Sequence, residues 1–504
     1  MSFEYLLDAF QLIFSNPTSL IFILVGVTAG IIVGCLPGLT ATMGCALLIP
    51  FTFNMEPVQG LLMLMGIFTG GIYGGSVSGI LIRTPGTPAA AATLLDGYPL
   101  SLKGEAGKAI GISTIASFIG GTIGALVMAF LAPQIAQFGL RFGPAEFFSL
   151  AIFGLTMIIS ISGESLLKGA IAALVGLIIT TIGLDPLSGV PRFTFGSDNL
   201  LGGITFIPAL IGLFGFAQVF RNIEKMEIVP QMKSKVGKIL PSFAEVKSLL
   251  PTMFKSGSMG TFTGSIPGLG ADIAAFIAYG EAKRTSKKPE EYGKGSLEGV
   301  AAPESANNGA TGGAMIPMLT LGVPGDAVTA VLLGALTIPG FQPGPLLFKD
   351  HLEIVYPIFA GMILCQLVLL IVGLSGARIF AKLINIDPKV LTSIIFLLCI
   401  VGSYSIRFSF FDVGLALIIG IIAYFMGHAK FPVSPILLAL ILGPMAEQNM
   451  RRALMLSQDD LSTFVTRPIS ATFLALAVFM AISSYFKLKK LRKIEQNIAE
   501  NTDN

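Results

Sequence analysis

Tryptophan is absent from this chain of 504 residues, histidine occurs twice, and cysteine four times. Charged residues make up only 12% of it, against about 25% in an ordinary soluble domain. Each shortage excludes something. His351 and His428 have no ligand partners at metal spacing, so no metal centre is expected. Cys35, Cys45, Cys365 and Cys399 sit inside apolar runs with no C-x-x-C pair, and read as small buried hydrophobes. Without Trp, anchoring at the membrane–water interfaces falls to Tyr and Phe. Met1 to Pro17 carries Glu4 and Asp8 but no Lys or Arg, so the basic n-region of a cleavable signal peptide is missing and none is expected. The run Gly74-Gly75-Ser76-Val77-Ser78-Gly79 misses the nucleophile spacing G-x-S-x-G, and neither His lies near it. Gly268 to Ile273 lacks the strand context of a dinucleotide loop, and no P-loop occurs. An enzyme is therefore not expected. The net charge of +3 is small, with basic residues gathered in loops, which speaks to topology and not to nucleic acid.

What the chain has instead is hydrocarbon-compatible sequence: 53% hydrophobic residues and a mean hydropathy of +0.81. This reads as an all-α polytopic membrane protein embedded in a lipid bilayer. Glycine is plentiful (59 residues), as close packing of membrane helices requires. Two stretches interrupt the apolar runs in nearly the same words: Gly34-Cys35-Leu36-Pro37-Gly38-Leu39 and Gly264-Ser265-Ile266-Pro267-Gly268-Leu269-Gly270. Pro and Gly break helices. Within a bilayer, a break is tolerated only where the freed backbone faces protein or a water-filled cavity. Matched breaks in two halves of a membrane chain point to a transport site.

A crossing helix needs about 20 residues, and the pieces flanking Pro37-Gly38 read as roughly 13–15 each, about 20 Å long. A re-entrant hairpin over 20–53 is expected, with a second over 256–280. Broken helices are expected at 58–95 and 310–340, around Pro85-Gly86-Thr87 and Pro324-Gly325-Asp326. Pro144 to Pro186 and Pro388 to Pro432 each read as a helix pair. Arg221 to Lys255, with Lys225, Lys233, Lys235, Lys238 and Lys247, reads as cytoplasmic by the positive-inside rule, as do Lys283 to Lys294 and the tail with Lys487, Lys489, Lys490, Arg492 and Lys493. Arg451, Arg452 and Arg467 then fall outside, against that rule and partly balanced by Glu447, Asp459 and Asp460. The count predicts about 11 crossings and two hairpins, N-terminus outside and C-terminus inside. Equivalent segments run in opposite directions, so the expected organisation is two inverted-topology repeats, 1–220 and 256–446. A cytoplasmic linker, 221–255, joins them, and 447–504 adds an extra C-terminal helix (468–487) and a tail.

Half-helix N-termini present free N–H groups and a positive dipole end, which favour anions. Around both tips and both breaks lie Thr40, Thr42, Ser76, Ser78, Thr84, Thr87, Ser265, Ser305, Asn307, Asn308 and Thr311. A single Ser or Thr in a membrane helix is more often bonded to its own i−4 carbonyl, whereas adjacent amides beside a Gly-rich stretch have few structural uses. Charges at bilayer depth cost about 2.5–3.5 kcal/mol on insertion scales and are functional candidates. Arg83 can clamp a carboxylate bidentately, snorkel, or pair with Asp96 or Glu304. Asp272 and Asp326 can each bind a cation or proton, or cap a half-helix. The candidate substrate set is Ser76, Arg83, Thr84, Pro85, Gly86, Thr87, Ser265, Pro267, Gly268, Asn307, Asn308, Thr311, Pro324 and Gly325. The candidate cation set is Pro37, Gly38, Thr40, Gly270 and Asp272.

The paired tips, with the full run Gly264 to Arg284, resemble the large permease subunit of tripartite tricarboxylate transporters. Ala302-Pro303-Glu304-Ser305-Ala306-Asn307-Asn308-Gly309, Thr84-Pro85-Gly86-Thr87-Pro88-Ala89 and Leu95-Asp96-Gly97-Tyr98-Pro99 resemble further motifs of that family, and the likeness spans nearly the whole chain. One departure is Arg83, where members usually carry an Asn-like polar residue; it points to a more anionic or different substrate, or to a structural exchange. The resemblance implies a secondary transporter of the bacterial inner membrane, driven by Na⁺ or H⁺ with no bound cofactor. It also implies a small four-helix membrane subunit, a periplasmic solute-binding protein, and a carboxylate cargo such as a tricarboxylate or dicarboxylate. An elevator-type mechanism and a homo-oligomer are further expectations. The alternative from the residues alone is a re-entrant-loop channel for small anions.

Overall fold

The computed structural model describes residues 2–53, 55–161, 165–224 and 236–502. Lys225, Lys233 and Lys235, and the loop residue Asn54, lie outside the described residues. The chain is built of helices: α1 (Ser2–Ser15), α2 (Pro17–Cys35), α3 (Ala41–Thr52), α4 (Pro57–Ile82), α5 (Leu94–Leu102), α6 (Ala106–Gly139), α7 (Pro144–Ile161), α8 (Leu166–Thr180) and α9 (Phe206–Glu224, with a π-helical turn at Ile211–Phe216). They continue as α10 (Phe243–Gly264), α11 (Gly270–Thr285), α12 (Leu297–Leu321), α13 (Ala327–Thr337), α14 (Leu352–Leu383), α15 (Pro388–Ser405), α16 (Phe410–His428), α17 (Ser434–Leu456) and α18 (Pro468–Thr502). Seven of the described helices, α2, α4, α6, α9, α14, α15 and α16, are long and apolar enough to cross a membrane. Little sheet accompanies them; Gly183–Leu184 pairs antiparallel with Pro191–Arg192.

The chain divides into two compact units. The first, Met1–Leu140 with Ile207–Ile421, contains both interrupted stretches and both broken helices. Its core seams are made of small residues. Gly26, Gly30 and Gly34 of α2 lie against the backbone of Met63, Ile67 and Gly71 on α4. Gly260 and Gly264 of α10 likewise lie against Ala306 and Ala310 on α12. In both seams the numbers rise together, so each first hairpin arm runs parallel to the broken helix after it. Close backbone approach supplies the packing where lipid offers no hydrophobic gain.

The second unit, Arg141–Phe206 with Ile422–Asn504, holds α7, α8, α17 and α18. Ion pairs tie its loops to its helices: Arg467 to Glu146 at 2.6 Å, Arg451 to Asp185 at 2.7 Å and Arg192 to Glu447 at 2.6 Å. This answers the poor fit of Arg451 and Arg467. Both are neutralised by acids distant in sequence, Glu146 in the first turn of α7 and Asp185 after α8, so they are weak indicators of sidedness.

The structure corrects two boundaries. The second hairpin runs from Phe243 to Thr285, not 256–280, so 243–255 is helix and not linker. A capping box starts it: Ser242 Oγ accepts from Glu245 N–H, and the Glu245 carboxylate accepts from Ser242 N–H, a signal that sets a helix start regardless of the Lys that follow. The second broken helix begins at Leu297, capped by Ser296, not at 310. Its first turns carry Glu298, Glu304, Asn307 and Asn308, which a hydropathy reading discards.

Candidate functional site

Both tips and both breaks belong to the first unit. Helix α2 ends at Cys35 and α3 starts at Ala41; α10 ends at Gly264 and α11 starts at Gly270. In each tip the Gly after Pro takes positive φ, +87° at Gly38 and +88° at Gly268, which a residue with a Cβ resists. The breaks after α4 and α12 also match. Each helix ends on a left-handed residue, Arg83 (φ +59°) and Gly322 (φ +71°). Arg83 is thus a helix C-cap in backbone terms. Its side chain is exposed, with the guanidinium 5.8 Å from the Tyr98 ring centroid.

The second tip is latched to the second break, because Gly268 N–H donates to Gly325 C=O at 2.7 Å, and Gly270 lies beside Asp326. The first break is folded back on its own helix, Gly86 N–H donating to Gly75 C=O at 3.1 Å. Gly86 also presses on the first hairpin: a Cβ there would stand 1.8 Å from Gly34 C=O. The first tip instead presents exposed Gly38 beside the Gln218 and Asn222 amides of α9.

Several candidates prove to be local caps. Thr40 Oγ1 caps α3, accepting from Met43 N–H at 3.2 Å. Asp326 forms a capping box with Thr329. Ser265 donates to Phe262 C=O, Thr311 to Asn308 C=O and Thr84 to Ile82 C=O. Asp272 lies in the first turn of α11, exposed, and that helix has no side-chain cap. Pro37 and Pro267 are part-buried in the tips, and Pro85 is part-buried in the first break. Pro324 is buried beside Gly325.

Ser76, Asn307 and Asn308 are drawn together deep in the unit, around a residue the sequence reading treated only as a partner for Arg83. The Glu304 carboxylate is fully buried. It accepts from Ser76 and Thr93 hydroxyls, from Ser113 Oγ at 2.8 Å, Ser117 Oγ at 3.1 Å and Asn307 Nδ2 at 3.2 Å. Asn307 Nδ2 also reaches Ala89 C=O at 3.4 Å, joining the cluster to the first break. Asn308 donates to Asn307 Oδ1 at 2.9 Å, while its own Oδ1 has no partner. Thr87 Oγ1, in the first break, is likewise buried without one. Ser113 and Ser117 stand four apart on one face of α6; that spacing was the sequence signal that went unused.

A second buried carboxylate works differently. Asp96 Oδ1 accepts from Gly293, Gly295 and Ser296 N–H groups, each at 2.8 Å, and its Oδ2 accepts from Tyr279 OH at 2.9 Å. It therefore holds the turn leading into α12 against α5. Neither Asp96 nor Glu304 is engaged by Arg83.

Comparison with known proteins gives the family. The model of the tripartite tricarboxylate transporter TctA family matches residues 20–438. An uncharacterized 52.8 kDa protein from the TAR-I ttuC′ 3′ region of Agrobacterium vitis is 37% identical over 463 residues, 92% of each chain. A protein from the TAR-II ttuC′ 3′ region of the same organism is 37% identical over 223 residues, 44% of this chain and 92% of its own. No solved structure matches. The chain is a multi-pass membrane protein and belongs to the tripartite tricarboxylate transporter TctA family.

Proposed function

We propose that the chain is the large permease subunit of a binding-protein-dependent secondary transporter that imports a carboxylate solute by alternating access. The observation that carries this is the pair of matched helix interruptions in one compact unit, with the second tip bonded to the second break through Gly268 and Gly325. Such interruptions free N–H groups and positive dipole ends at depth, the chemistry that holds carboxylates. Exposed Gly38 with Gln218 and Asn222, the Pro85 to Thr87 segment and Asn308 Oδ1 supply polar groups for cargo. Asn307 links them to Glu304. Thr40 and Asp272 remain the candidates for the coupling cation at the tips.

The two hairpins sit in inverted repeats, N-terminus outside and C-terminus inside. Supporting this, Lys108 pairs with Glu245 at 3.1 Å and Lys255 with Glu281 at 2.7 Å, gathering the basic loops before α6 and around the second hairpin. The element series α2 to α9 also matches α10 to α17 in order. The hairpins and breaks form the mobile part of an elevator, and the more regular helices its scaffold. A small membrane subunit and a periplasmic binding protein complete the system in the inner membrane.

Uptake of radiolabelled carboxylate into proteoliposomes holding permease, small subunit and binding protein tests the reading. Accumulation that requires an ion gradient, with Asn307→Ala/Asn308→Ala reduced at least tenfold, is expected. Gradient-independent uptake, or full activity of the double variant, rejects it.

A further inference from the structure

Glu304 is fully buried and is held almost wholly by side chains rather than by the backbone of a turn, unlike Asp96. Its partners are all uncharged hydroxyl and amide groups, contributed by α4, the segment before α5, α6 and α12. The titratable group facing the cluster is the Tyr73 phenol, itself bonded to Thr114 Oγ1 at 2.8 Å. A lone ionised carboxylate at bilayer depth is strongly disfavoured, and something must neutralise it. The donors touch the carboxylate directly, and a proton fits on it without moving them. Ser and Thr hydroxyls accept as readily as they donate, so the same cluster accommodates both states of the acid by rotating hydrogens.

We propose that Glu304 holds a proton in this closed arrangement and exchanges it with water when the cluster opens, making it the proton-carrying group of the transport cycle. The proposal rests on the ion-coupled transport reading above. On loading, hydronium gives its proton to Oε2, the oxygen with fewer donors. The new O–H then donates to Ser113 or Ser117 Oγ, and that serine turns its own hydrogen to a carbonyl of its helix. On release the O–H bond breaks, the electron pair stays on the carboxylate, and the proton leaves to water. Opening requires separating α12 from α4 and α6, whose side chains close the cluster. Proton exchange is thereby tied to a rearrangement inside the first unit.

Two measurements on the full-length permease test this. Infrared spectra at neutral pH should show the carbonyl stretch of a protonated carboxyl that is missing in Glu304→Gln and shifted in Ser113→Ala/Ser117→Ala. No such band in wild type, or a band unmoved by the serine changes, overturns the proposal, and the serine arm decides it even where Glu304→Gln fails to fold. In proteoliposomes with both partner subunits and choline in place of Na⁺, wild type should accumulate solute under a pH gradient. Glu304→Gln should keep solute exchange but lose at least tenfold of that accumulation. Gradient-driven accumulation by Glu304→Gln, or accumulation by wild type only when Na⁺ is supplied, also overturns it. Absence of solute exchange by wild type rejects the transporter reading instead, and leaves the infrared result to stand by itself.

Discussion

The two hairpins are built alike and finished differently. Both place a Gly at φ near +87° after Pro, and both lay their first arm along a broken helix through small residues. The second tip is closed, its Gly268 N–H spent on Gly325 C=O. The first leaves Gly38 exposed beside two side-chain amides. The breaks diverge too. The second is capped by Gly322, which takes the left-handed conformation without strain, and the first by Arg83, which does not. Repetition thus supplies the framework, and the departures from it mark where the halves take different tasks.

The largest expected effect comes from closing one of the tightest approaches in the first half. Gly86→Ala places its Cβ against Gly34 C=O, a backbone atom that cannot rotate away. The variant should lose about 3 kcal/mol or more, at the upper end for overpacking, read as a collapse of thermal stability in detergent. Next is the clasp between the halves. Asp96→Ala strands three N–H groups, that of Ser296 buried, and the Tyr279 hydroxyl, and should cost about 3 kcal/mol by the same assay. Arg83→Gly gives the first break the cap of the second. Relief of left-handed strain should raise stability by about 1 kcal/mol. Unchanged uptake makes Arg83 a cap alone; a drop in uptake despite higher stability makes it a contact for the anionic cargo.

The smallest effect is at the start of the second hairpin, which has a capping box that the first lacks. The Ser242 hydroxyl, the Ser242 N–H and the Lys108 ammonium hold the Glu245 carboxyl down to about 2, against an unfolded value of about 4.3. Its folded value is depressed, so its contribution is fully present above the unfolded value and fades as pH falls from there toward about 2. The melting temperature of wild type should exceed that of Glu245→Gln at pH 7, with the gap closing through that acid window. A constant gap contradicts the assignment.

Much of the framework was legible because Pro and Gly act locally. The helix interruptions at Pro37-Gly38, Pro267-Gly268, Pro85-Gly86 and Pro324-Gly325 follow from backbone chemistry alone. Helix starts were not legible where polar residues begin a buried helix: Leu297 opens α12, whose Glu304 is met by hydroxyls from other elements. The Glu304 cluster was out of reach for the same reason. Apart from Asn307, its donors sit on residues 76, 93, 113 and 117, and the Ser113/Ser117 spacing marks a polar face of α6 without announcing a carboxylate from position 304. Arg83 reads from the sequence as a question of charge alone; the fold adds a backbone demand, its left-handed conformation at the end of α4, that no residue pattern announces.

The central claim is that the two hairpins enter the membrane from opposite sides and meet the same unit. The four native cysteines are buried, so single cysteines can be added at exposed hairpin mouths, Ser15→Cys before the first and Lys287→Cys after the second. Impermeant maleimide on cells with a permeable outer membrane should label Ser15→Cys at once and Lys287→Cys only after the inner membrane is opened. Labelling of both from the same side contradicts the inverted arrangement.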